Sequence, residues 1–76
     1  MKSSEIIKSI MKDVQWSQYR LAEEIGKKQS NITGILNRAS SMRVDSLVEL
    51  AEAMGYEVVI RNKQNGKQEY KVTDGR

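Results

Sequence analysis

The side chains of this chain that could do chemistry are amides, hydroxyls and cations rather than nucleophiles. There is no histidine, no cysteine, no glycine-rich loop to cradle a phosphate and no pair of carboxylates on one face. A hydroxyl here therefore has no base to activate it, and an enzyme is not expected. What remains is a hydrogen-bonding set, Lys28, Gln29, Ser30, Thr33, Asn37 and Arg38, within eleven consecutive positions (28–38). A glutamine can pair bidentately with adenine, and serine or threonine hydroxyls can bond to either class of base. A threonine methyl can touch thymine, and a lysine can reach guanine or a phosphate.

The charge pattern points the same way. The net charge is only +3 with a pI near 9.3, but the charges are not mixed evenly. No acid occurs between Glu24 and Asp45, whereas Lys27, Lys28, Arg38 and Arg43 all lie there. Acids collect at Glu23, Glu24, Glu49, Glu52 and Glu57. A phosphate backbone would be drawn to the first region and repelled by the second.

Composition narrows the class further. Seventy-six residues make one small domain, whose core supplies only a few kcal/mol of net stability. Without cysteine or histidine, disulfides and Cys/His zinc sites are excluded, and no cofactor is expected. No apolar run approaches the ~20 residues of a membrane span. The start, MKSSEIIKSIMKD, scatters charges among its isoleucines and is no secretory h-region, so a cytoplasmic location is expected. Asn31-Ile32-Thr33 fits a glycosylation acceptor, which without export would be coincidence.

The elements that must position the polar set lie in QYRLAEEIGKKQSNITGILN, residues 18–37. Leu21, Ala22 and Ile25 fall on one face of a first short helix, and Ile32, Ile35 and Leu36 on one face of a second. Gly26 stands where the chain must leave a helix in a left-handed conformation. Ser17 is placed to cap the helix 18–25, although Arg20 occupies the position where a glutamate would complete a capping box.

These residues resemble the helix-turn-helix of the phage repressor and Cro family (XRE-type): Gln, two residues, Leu-Ala, three residues, Gly. Gln18, Leu21, Ala22, Gly26, Ile32 and Ile35 stand where that outline requires them, and a weaker likeness runs from Ser3 to Gly55. The resemblance implies a mainly α, lambda-repressor-like four-helix domain that binds double-stranded DNA. It starts the second helix of the motif about two residues before Ser30 or Asn31, the caps that propensity alone would select. It implies base-reading roles for Lys28, Gln29, Ser30, Thr33 and Gly34, and phosphate roles for Ser17, Gln18, Asn37, Arg38 and Arg43. Ser40 and Ser41 could add phosphate bonds. Gly34 departs from the family, which often has a long polar side chain there; glycine removes one reader but lets the backbone approach the groove.

On either side lie supporting segments. Residues 3–14 carry Ile6, Ile7, Ile10, Met11 and Val14 at helical spacing, with Ser3 or Ser4 as cap and Glu5 suited to the helix dipole. Trp16 reads as an anchor against that helix. Residues 44–54 form another amphipathic helix, with Val44, Leu47, Val48, Ala51 and Met54 inward and Gly55 past its end. Ser46 and Glu49 match a capping box but fall inside this stripe.

After Gly55 the period changes to alternation, a strand signal that opens a C-terminal β-strand or β-hairpin. An Asn65-Gly66 two-residue turn would set Arg61 opposite Tyr70 and Val59 opposite Val72, leaving both faces partly apolar. A lone hairpin is not stable in water. Residues 1–55 are thus expected to be the DNA-binding domain and 56–76 a dimerisation element, through Tyr56, Val58, Val59, Ile60, Tyr70 and Val72. Folding back on its own domain, or fraying after Lys63, are the alternatives, and TDGR is expected to be disordered. The function expected is a dimeric, sequence-specific repressor without a small-molecule ligand or membrane partner. The alternative is an antitoxin that neutralises a toxin partner and represses its own operon.

Overall fold

A computed structural model describes residues 2–37 and 42–73. Arg38, Ser40 and Ser41, expected at phosphates, lie outside the described residues, as does most of the TDGR tail. The order is α1 (Ser3–Val14), α2 (Gln18–Ile25), α3 (Gln29–Asn37), α4 (Val44–Ala53), β1 (Val58–Arg61) and β2 (Glu69–Val72).

The helices form because each carries one apolar face, and α1, α2 and α4 each end at a local stop signal. α1 buries Ile7 and Met11 and lays Ile10 and Val14 against the same core, while Ile6 faces outward. Its cap is not a serine. Lys2 occupies the N-cap with extended backbone and no side-chain bond, which puts Ser3 and Ser4 inside the first turn. All three turns that follow α1, α2 and α4 close alike, with a left-handed residue and paired backbone bonds back into the helix. After α2 and α4 that residue is glycine, Gly26 at φ 72° and Gly55 at φ 87°. After α1 it is Gln15 at φ 61°, where an L side chain crowds the backbone.

Ile7, Leu21, Ile32, Leu36 and Leu50 are fully buried where the four helices meet. Each such side chain stabilises the fold by about 1.5–3 kcal/mol through removal from water. Two members of the core differ from the sequence expectation. Met42, from the apparently polar loop, is buried directly before the N-cap Arg43 of α4. That position and Leu47, four residues into the helix, are the two positions of a hydrophobic staple. Within α4, Val44 is 59% exposed whereas Leu50 is buried completely. As the first helical residue, Val44 sits at the rim of the bundle, and Leu50 takes the inward place between Leu47 and Met54.

The C-terminal segment is a hairpin, but its register is one residue away from the two-residue-turn expectation. Val58 pairs with Val72, Val59 with Lys71, Ile60 with Tyr70 and Arg61 with Glu69. Residues 63–67 make a longer connection, because two asparagine side chains take over the turn. Asn62 Oδ1 accepts from the Gln64 amide at 2.8 Å, and Asn65 Oδ1 accepts from the Lys67 amide at 2.9 Å. Asn62 also bonds Gln68 and Gly66 through its backbone. Since residues directly opposite share a face, a shift of one residue regroups every side chain. Val58, Ile60, Tyr70 and Val72 now form one apolar face; Val59, Arg61, Glu69 and Lys71 form the other. Val58 packs on the helical core, and β1 meets α4 there.

Candidate nucleic-acid interface

Two helices build the surface. Ser17 caps α2: its Oγ accepts from the Arg20 amide at 3.1 Å. That leaves the amides of Gln18 and Tyr19 without a partner inside the helix, at its electropositive end. At Gly26 the chain turns, and Lys27 is held by an ion pair with Glu49 of α4, Nζ to Oε1 3.0 Å. α3 then begins at Gln29, where the family likeness put it, with the Lys28 carbonyl accepting from Asn31 and Ile32.

The core face of α3 is set by Ile32 and Leu36, with Ile35 half-buried. At 3.6 residues per turn the opposite face carries Ser30, Gly34 and Asn37, and all three are exposed. Gln29 and Lys28 are exposed beside them, and no hydrogen bond engages either side chain among the described residues. Among the described residues nothing lies within 4 Å of where a Cβ on Gly34 would stand, so their packing does not require the glycine. Ser30, Gly34 and Asn37 thus share the outer face of α3, with Lys28 and Gln29 exposed at its start.

Thr33 is placed differently from the other proposed base readers. It is half-buried at the α2 side of α3, and its hydroxyl donates to Gln18 Oε1 at 2.6 Å. Arg43, the N-cap of α4, is exposed and lies 3.7 Å from Asp45. That loose surface pair leaves its guanidinium accessible.

One residue overlooked in the sequence flanks this surface. Tyr19 is 61% exposed and lines a shallow groove with Ala22, Glu23, Lys27, Lys28 and Gln29. Its signal was an aromatic off the apolar stripe of α2, one residue from Gln18. Arg20 lies over Trp16 in the connection between α1 and α2, its guanidinium 4.5 Å from the ring centroid, and its Nε is 3.9 Å from Glu24 Oε2. Trp16 itself packs against the core, as expected of an anchor.

Four helices, the second and third joined through a left-handed glycine and the third facing outward, define a helix-turn-helix protein. The helix-turn-helix family model of the Cro/C1 (XRE) type matches residues 7–61, and the chain belongs to that family of DNA-binding transcription regulators. No curated protein and no solved structure matches it. Among the described residues no helix is long and apolar enough to cross a membrane.

Proposed function

We propose that the protein is a sequence-specific repressor that binds operator DNA as a dimer, with α3 in the major groove. The observation that supports this most is the start of α3: Gln29, Ser30 and Lys28 stand exposed, their side chains without a hydrogen-bond partner among the described residues, in a segment whose sequence has no acids. Gln29 reads adenine, Ser30 and Lys28 read or steady neighbouring base edges, and Gly34 lets the helix backbone approach the groove. Ser17, Gln18, Asn37, Arg38 and Arg43 grip phosphates and set the register. Selection of bound duplexes from a random pool tests the reading. It predicts a palindromic consensus with half-sites about 34 Å apart, one turn of the duplex. An unenriched pool would refute it.

The dimer is proposed to form through the hairpin. Of the apolar residues there, Ile60 and Tyr70 are 65% and 62% exposed, and Tyr56 stands beside β1 at 42%. Val58 and Val72 continue the same face toward the core, while Val59 lies on the charged face. The same uncovered apolar face supports a second reading, an antitoxin that offers it to a toxin chain. A second polypeptide co-purifying in fixed ratio, and lost with Ile60→Lys, would favour that reading over self-association.

A further inference from the structure

We infer that Thr33 is a positioning residue: its hydroxyl holds the Gln18 amide with the NH2 group directed outward, toward a DNA phosphate. This rests on the DNA-binding surface proposed above and reassigns one of its residues.

A threonine hydroxyl has one proton, and here that proton goes to Gln18 Oε1 over 2.6 Å, from α3 to α2. Both side chains are half-buried, so water competes less for the bond than at an open surface. With Oε1 occupied, the two Nε2 protons of Gln18 are left for an outside acceptor. A phosphate is acceptor only, so this amide orientation attracts it and the flipped one would set oxygen against oxygen. When a phosphate takes an Nε2 proton, hydroxyl, amide and phosphate form one chain in which each bond polarises the next. Thr33, having given its proton to Gln18, has no donor for a base edge. Its hydroxyl therefore acts through Gln18 rather than on the sequence, and it couples the base-reading helix to the backbone-gripping one.

The test compares binding of Thr33→Val, Thr33→Ser and Gln18→Ala, with the double variant Gln18→Ala/Thr33→Val, to the selected operator and to random duplex. Thr33→Val should weaken both duplexes by the same several-fold factor, leaving their ratio and the selected consensus unchanged. Thr33→Ser, which keeps the donor, should restore wild-type binding. In the Gln18→Ala background Thr33→Val should have no further effect. Thr33→Ala serves the same comparison if the valine variant melts well below wild type. A changed base preference in Thr33→Val, or an undiminished effect without Gln18, would overturn the inference while leaving the DNA-binding reading intact. Failure of the wild-type chain to bind any duplex would overturn both.

Discussion

Ile60 stands directly across the ribbon from Tyr70, on a face that meets the helical core only at its other end. The pairing gathers the hairpin's most exposed apolar side chains at one place, and it makes Ile60 the most direct probe of self-association. Ile60→Lys should give a monomer by sedimentation equilibrium and weaken operator binding, with helical content retained. At so exposed a position the loss of fold stability should be no more than about 1 kcal/mol. A variant with the mass of a dimer would remove this face from the interface.

Gly34 separates folding from binding. Alanine at an exposed helix interior is favoured over glycine by about 1 kcal/mol, and there is open space for the added methyl. Gly34→Ala should therefore raise Tm by several degrees. If the glycine serves close approach to the groove, operator affinity should fall at the same time. A lower Tm would contradict the open environment of this position.

The cations of the acid-free segment should divide into two kinds. Lys27 is engaged by Glu49, so Lys27→Ala should mainly lower stability, by less than about 1 kcal/mol for a partly exposed pair. Arg38→Ala should weaken all duplexes alike and reduce the slope of log affinity against log salt by about one. Salt titrations of the two variants check this; equal slopes would show that Arg38 touches no phosphate.

Gln15 is the non-glycine residue in a left-handed conformation among those described. Gln15→Gly should stabilise the domain by about 1 kcal/mol, since the side chain's clash disappears while the turn's bonds to Lys12 and Met11 remain. Chemical denaturation measures it, and a destabilised variant would contradict the crowding argument.

The helix-turn-helix was legible because its constraints are local: Leu21, Ala22, Ile32 and Leu36 repeat at helical spacing, and Gly26 answers one backbone need. The hairpin register was not, because two signals competed. Asn65-Gly66 favours a tight turn, but that turn would split the apolar residues between two faces. The observed register puts Val58, Ile60, Tyr70 and Val72 together, at the cost of a longer connection held by Asn62 and Asn65. Met42 was not legible because its burial depends on where α4 begins, and Leu50 because it lies at the edge of the stripe of Leu47, Ala51 and Met54. In the interface, Ser30 follows from the helix face alone, whereas Gln29, seven residues before the buried Leu36, is exposed because it is the first residue of the helix. The Thr33–Gln18 bond joins side chains fifteen residues apart, and no periodicity within one helix discloses it.

Gln29, whose amide is exposed at the start of α3, is the residue assigned to an adenine edge. The most direct measurement is the affinity of Gln29→Ala for the selected operator relative to random duplex, at fixed salt. Loss of a bidentate base contact predicts a roughly tenfold or greater fall in that ratio, about 1–3 kcal/mol, with binding to random DNA nearly unchanged. A ratio equal to that of the wild type would contradict the placement of α3 in the major groove.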